Sequence, residues 1–198
     1  MNKKTEKLMI ELYQNGVLKF GKFILKSGIE SPFYIDLRIL ISYPKVLKKV
    51  AQVYDQMLKK LEFDRMVAVP YTGIPIVCAI SLLNNRPFLY TRKEVKSYGI
   101  KRPVEGEYQK KDKVVLIDDM ITTGGSKLEV IKIINDLGLQ IKDVVVLFDR
   151  LQGGKEELAK EGFFLHSAFT ILDWINVLKR EKIIGEKKYK QIFNYLKK

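Results

Sequence analysis

The stretch "KVVLIDDMITTGGSKLEV", residues 113–130, decides the fold. Five residues suited to a strand run into two adjacent carboxylates, Asp118 and Asp119, followed by a Thr/Gly/Ser cluster and then a helical pattern. The run "KVVLI" lacks polar alternation, as expected of a strand covered on both faces of a parallel sheet. Over 126–137, Leu128, Ile131, Ile134 and Leu137 recur about every three residues, the stripe a crossover helix buries, and Gly138 closes it. In an open α/β sheet, the turn joining such a strand to such a helix lies at the carboxyl end, where ligands bind.

Working outward, the same alternation continues in both directions. "MVAVP" at 66–70, a helix over 75–83, "PFLY" at 87–90 and "VVVLF" at 144–148 extend the strand–helix pattern. They predict an α/β fold with an open parallel sheet flanked by helices. Upstream, Leu8, Met9, Leu12 and Tyr13 mark a helix over 3–18 that "NG" stops at Asn15 and Gly16. "KFILKSGIESPFYIDLR" then reads as a short hairpin turning at Gly28. Pro44 opens a helix with a stripe of Val46, Leu47, Val50, Val53, Tyr54 and Leu58. The C-terminal segment is one helix broken near Gly185 and then another. The expected organisation is a single domain, 1–198, with a small N-terminal subdomain over 1–43, an α/β core over about 44–178 and a helical tail over 179–198.

Hydrophobic residues make up 46% and charged residues 30%, an ordinary globular balance. The net charge of +13 favours acidic partners, whether nucleic acid, a membrane surface or anionic metabolites. The lysines are scattered, and only "NKK" and "YLKK" at the ends are locally basic, so charge does not choose among them. The single Cys78 excludes an intrachain disulfide and a cysteine-based zinc cluster, fits a reducing compartment, and reads as core within "IPIVCAI". No apolar stretch reaches the roughly 18 residues of a membrane span, and the polar start lacks a signal-peptide core, so the expected location is cytoplasmic.

The cluster after Asp119 has the chemistry of a phosphate cradle. Loop amides freed by Gly124 and Gly125, the hydroxyls of Thr122, Thr123 and Ser126, and a helix N-terminus all suit an anion. A capped turn alone would account for Ser126 and one glycine, but not for the whole cluster. Neither the Walker pattern nor G-x-G-x-x-G is present. Two adjacent carboxylates repel, so they call for hydroxyl donors or a cation, which ribose hydroxyls and a magnesium ion would supply.

Strand, "DDMITTGGS", helix resembles the signature of type I phosphoribosyltransferases, which bind 5-phosphoribosyl 1-pyrophosphate (PRPP). The resemblance implies that Asp118 and Asp119 contact the ribose, while Met120, Ile121, Thr122, Thr123, Gly124, Gly125 and Ser126 hold the 5-phosphate. Further segments are similar to the orotate branch, in the right order over about 16–178. "GVLKFGKFILKSGIESPFYIDLR" resembles its N-terminal hood, which puts Lys26 beside the pyrophosphate and orotate, with Phe33 and Tyr34 flanking the orotate ring. "PYTGIP" resembles the pyrophosphate turn, with Tyr71 and Thr72 as donors; many bacterial members carry lysine where Thr72 stands, so backbone amides should matter more here.

"RKEVKSYGIKRPVEGE" resembles the catalytic loop, where Arg92, Lys93 and Lys96 would bind the departing pyrophosphate. Tyr98 stands where bacterial members often have histidine, and a phenol of ordinary pKa, about 10, is a poor base at neutral pH, so it is assigned to ligand contact. In "VVVLFDRLQGGKEELAKEGFFLHSAFTI", Arg150 would pair with the orotate carboxylate, with Thr122 reaching the ring, Asp149 as a local orienter and His166 structural.

The implied reaction joins orotate to PRPP, giving orotidine 5'-monophosphate and pyrophosphate, with Mg²⁺ held mainly by PRPP and no protein metal ligands. The catalytic residues would be Arg92, Lys93, Lys96, Asp118 and Asp119. In that family the loop serves a neighbouring subunit's site, implying a homodimer with shared active sites. Neither nucleic acid nor membrane is an expected partner. With the chain stopping at Lys198, an orotidine monophosphate decarboxylase would be a separate chain that could associate with it. A purine phosphoribosyltransferase would lack "LKSG…SPFY" and "FDRLQGG", and a PRPP-sensing regulator would need a DNA-binding module for which no segment is long enough.

Overall fold

The chain alternates strands with helices along most of its length. The computed structural model describes residues 3–24, 28, 30–92 and 103–197. Helix α1 (Lys3–Gln14) buries Leu8, Met9 and Leu12 and ends where Asn15 donates both its backbone and side-chain N–H to the Glu11 carbonyl. Strands β1 (Leu18–Ile24) and β2 (Glu30–Ile35) pair antiparallel as the expected hairpin. A 3-10 turn, Leu37–Ser42, capped by the Asp36 carboxylate, leads to α2 (Pro44–Leu58), which starts on proline.

The main sheet follows: β3 (Arg65–Ala68), α3 (Gly73–Asn84), β4 (Phe88–Thr91), β5 (Val104–Glu105), β6 (Lys113–Ile121), α4 (Gly125–Asp136), β7 (Gln140–Asp149), α5 (Gly154–Lys160) and β8 (Phe164–Thr170). Helices α6 (Ile171–Arg180) and α7 (Glu186–Leu196) complete the chain, parting at Gly185 as expected. The strand order is β5-β4-β3-β6-β7-β8, parallel throughout except for β5, which runs antiparallel to β4. From β3 the chain steps outward to β4, whereas from β6 it steps the opposite way to β7 and β8. That reversal opens a crevice between the carboxyl ends of β3 and β6.

Period-two alternation divides the sheet's two faces. Met66, Ala68, Val115, Ile117, Val145 and Leu147 face one apolar cluster with α1, α2, α3 and α6, while Val67, Val69, Val114, Leu116, Val144 and Val146 face another with α4 and α5. In the first cluster, Trp174 meets Phe148 and Phe169 edge-on and donates its indole N–H to the Met9 carbonyl at 2.9 Å, tying α1 to α6.

Three details differ from the sequence reading. Strand β6 does not stop at Ile117 but continues through Asp118–Asp119–Met120–Ile121, because the aspartates bond locally and leave the ladder to β7 intact. The buried face of α4 is Lys127, Val130, Ile131 and Ile134, with Leu128 and Leu137 only partly buried. Cys78 is half-buried on α3 rather than in the core, and burial raises its thiol pKa. Among the described residues, no helix is long and apolar enough to cross a membrane.

Candidate active site

The end of β6 holds the acidic pair inside the protein. Asp118 is 6% and Asp119 9% exposed. The Asp119 backbone N–H donates to Asp118 Oδ1 at 2.8 Å, and the Met120 N–H donates to Asp119 Oδ1 at 2.8 Å. From α2, the buried Tyr54 hydroxyl donates to the Asp118 carbonyl at 2.5 Å; burial first, then Asp119 and Asp118, push its pKa well up and keep it a neutral donor. Burial and the neighbouring Asp118 carboxylate push Asp119 well above the usual carboxylate range, against the pull of Lys127.

Beyond the pair, Thr122 is half-buried, Thr123, Gly125 and Ser126 are exposed, and Gly124 is covered. Gly124, at φ +90°, turns the chain into α4 as its N-cap, a conformation L side chains resist, and no side chain caps the helix. The Lys127 N–H turns back to the Gly124 carbonyl at 2.9 Å, which leaves the Gly125 and Ser126 amides as the ones an anion would meet. From the next element, the N-terminus of α5 braces this loop: a Cβ on Gly154 would stand 2.5 Å from Ile121 Cγ1 and collide with the Thr122 carbonyl.

Across the switch point, the Val69 N–H donates to the Ile117 carbonyl at 3.0 Å, so the turn carrying Tyr71 and Thr72 begins beside the acidic pair. The Pro70–Tyr71 peptide is cis, Tyr71 is 66% exposed, and Thr72 opens α3 without capping it. The Gly73 and Ile74 amides point back into the turn, to the Val69 and Tyr71 carbonyls.

On the other side of β6, Ile121 pairs with Asp149, and the Arg150 N–H donates to the Ile121 carbonyl at 3.1 Å. Arg150 is only 5% exposed, and its Nε and one terminal nitrogen, Nη2, are buried with no acceptor among the described residues. Its guanidinium lies 4.9 Å from the centroid of the fully buried Phe33 ring, which Tyr195 of α7 meets edge-on at 5.9 Å. Burial lowers the Arg150 pKa, opposed by Tyr195 and Tyr34. Such a group is built to receive an anion.

A carboxylate pair, a helix N-terminus with no side-chain cap and a buried guanidinium with two nitrogens unpartnered among the described residues thus converge at the carboxyl end of the sheet. Comparison with known proteins puts a family to this arrangement. The phosphoribosyl transferase domain model matches residues 43–179. The orotate phosphoribosyltransferase of Staphylothermus marinus is 38% identical over 191 residues, covering 96% of this chain and 94% of that protein. The chain belongs to the orotate phosphoribosyltransferase family.

Bovine uridine 5'-monophosphate synthase, another relative, is 37% identical over 96% of this chain, which spans 40% of that protein's length. The solved structure of Leishmania donovani UMP synthase superposes with a TM-score of 0.90 at 36% identity, covering 97% of this chain and 42% of that one. Orotate phosphoribosyltransferase membership gives the expected site residues a common frame, and the structure distributes them unevenly.

Phe33 and Arg150 meet, but Phe33 serves as a platform beneath the guanidinium instead of presenting an open ring wall. Tyr34, half-exposed, packs against Phe23 with ring centroids 5.5 Å apart, and its hydroxyl accepts from Arg38 at 2.9 Å. The Ile121 side chain is core and its carbonyl is taken by Arg150, so it supports the loop from below. Arg92, just past β4, is ion-paired to Glu105 of β5. Asp149 accepts from the Leu151 N–H at 2.8 Å. The His166 ring contacts Asp143 at 2.7 Å, on neighbouring strands of the sheet. Lys26, Lys93, Lys96 and Tyr98 lie outside the described residues.

Two residues escaped sequence reasoning. Lys127, buried in the first turn of α4, places its ammonium 2.6 Å from Asp118 Oδ2. Tyr195 sits 45 positions beyond Arg150, too far along the chain for any local pattern to link them.

Proposed function

We propose that this chain transfers the 5-phosphoribosyl group of PRPP to orotate, giving orotidine 5'-monophosphate and pyrophosphate in pyrimidine biosynthesis. The observation that carries the reading is Arg150, a buried guanidinium with two nitrogens unpartnered among the described residues, one strand away from the phosphate loop. A planar carboxylate satisfies it in bidentate fashion, and orotate has one where purine bases have none.

The 5-phosphate sits on the amides at the start of α4 and the hydroxyls of Thr122, Thr123 and Ser126, and the acidic pair faces the ribose. Bond cleavage at the anomeric carbon builds positive charge on the sugar, which the buried carboxylates stabilise without covalent chemistry. Pyrophosphate departs toward Tyr71, Thr72, Lys26, Arg92, Lys93 and Lys96, with Tyr98 in ligand contact. Arg92 exchanges Glu105 for the leaving group as it does so.

Bound to PRPP oxygens, Mg²⁺ would neutralise the departing pyrophosphate. We take the ion as carried by the substrate and touched by the Asp118 and Asp119 carboxylates at most through water. The enzyme works as a homodimer with shared sites, in the cytoplasm. Relatives named UMP synthase, of which this chain spans about two-fifths, support an association with orotidine monophosphate decarboxylase.

The test is loss of near-ultraviolet orotate absorbance on mixing protein, orotate, PRPP and Mg²⁺, with Lys93→Ala alongside. PRPP-dependent loss, strongly slowed in the variant, is the expected result. Consumption of adenine or hypoxanthine with orotate untouched would leave the family standing and overturn the base.

A further inference from the structure

Lys127 stands where two effects disfavour a cation. It occupies the first turn of α4, at the positive end of the helix dipole, and it is 5% exposed. Its partners supply the compensation: the ammonium lies 2.6 Å from Asp118 Oδ2, donates to the Met120 carbonyl at 2.5 Å and reaches Ser126 Oγ at 3.4 Å. Both Asp118 and Met120 belong to β6, so the side chain spans the loop 122–124 and fastens the helix's start to the strand's end.

That contact treats the two carboxylates differently. Asp118 is fully engaged, with Oδ2 on Lys127, Oδ1 on the Asp119 N–H and its carbonyl on the Tyr54 hydroxyl. Asp119 accepts one bond among the described residues, from the Met120 N–H at Oδ1.

We infer that Lys127 is a positioning residue: its ammonium staples the phosphate loop shut and takes Asp118 as a permanent partner, leaving Asp119 as the carboxylate that meets the ribose diol. The staple has an electrostatic consequence as well. With Asp118 paired to Lys127, the site opposes a polyanionic ligand with one uncompensated carboxylate fewer. A loop fixed beforehand also loses less freedom when the phosphate arrives. The inference rests on the phosphoribosyl-transfer reading, and its test is chosen to fail separately from it.

The test is calorimetric binding of PRPP with Mg²⁺, which needs no turnover, on wild type, Lys127→Met and the double variant D118N/K127M, with the orotate KM and Tm measured alongside. Lys127→Met keeps the apolar stem and deletes the ammonium. The double variant leaves neither charge buried alone and secures the test if the single variant fails to fold. The expected result is a PRPP Kd raised about tenfold or more in both, and in Lys127→Met an orotate KM within about twofold of wild type. A PRPP Kd within about twofold of wild type, whatever the fall in Tm, would reduce Lys127 to a packing residue and overturn the inference. If wild type binds PRPP but does not consume orotate, the base assignment fails while a weakened Lys127→Met still supports the staple.

Discussion

At Arg150 the described residues leave two guanidinium nitrogens buried without an acceptor. Each buried donor without an acceptor costs about 1–3 kcal/mol, and two are present. The contact with the Phe33 ring returns about 0.5–2 kcal/mol. Arg150→Met should therefore leave Tm unchanged or raise it while the orotate KM climbs about tenfold or more, as expected where function strains stability; thermal scans and steady-state kinetics on one preparation check both halves.

Asp119 behaves in a related way. Its folded pKa is raised, so above the unfolded value of about 3.9 the native state holds a proton that the unfolded chain has released. That group's contribution is present at low pH and is lost as pH rises from about 4 through the folded value. Asp119→Asn should flatten this slope and be the more stable protein at pH 7, although it loses PRPP binding; urea titrations of both proteins from pH 4 to 8 test it.

At this scale the acidic pair and the Thr/Gly/Ser cluster stood out in the sequence because their chemistry calls for a ligand, whereas Arg150 was singled out only through the family resemblance. Lys127 was not, because a lysine on an amphipathic helix reads as surface until the helix start is folded back onto β6.

Among the elements, α5 bears on the site by bracing the loop after β6. A methyl group at Gly154 would meet the Thr122 carbonyl and the Ile121 side chain. Gly154→Ala should lower stability by about 1–3 kcal/mol, the range for overpacking, and raise the PRPP KM more than the orotate KM, as denaturant titration and kinetics would show. Sequence pattern identified the buried strands β3, β6 and β7 because burial on both faces leaves continuous apolar runs. It did not identify β8 as a strand, since "FLHSAFT" lies at the sheet edge with most side chains half-exposed and carries no such run. The two-residue β5 was too short to leave any period at all.

Over the whole molecule, the two ends of the chain meet the site from outside the α/β core. Helix α7 brings Tyr195 against Phe33, the ring under Arg150, so a residue near the C-terminus helps to set the guanidinium's position. Tyr195→Ala forfeits an edge-on aromatic contact of about 0.5–1.5 kcal/mol. It should raise the orotate KM several-fold and leave the PRPP KM alone, a split that kinetics with each substrate varied in turn would reveal. Sequence analysis recovered the parallel sheet and the tail as separate features, but a contact spanning so much chain exists only once both have folded.

The most direct test of the central claim compares orotate with uracil, the same ring without the carboxylate, as PRPP acceptors for wild type and Arg150→Met. Strong preference for orotate in wild type, largely erased in the variant through loss of orotate turnover, is the predicted result. Equal use of the two bases by wild type, or an Arg150→Met enzyme that keeps its preference, would contradict the reading of Arg150 as the orotate carboxylate's partner.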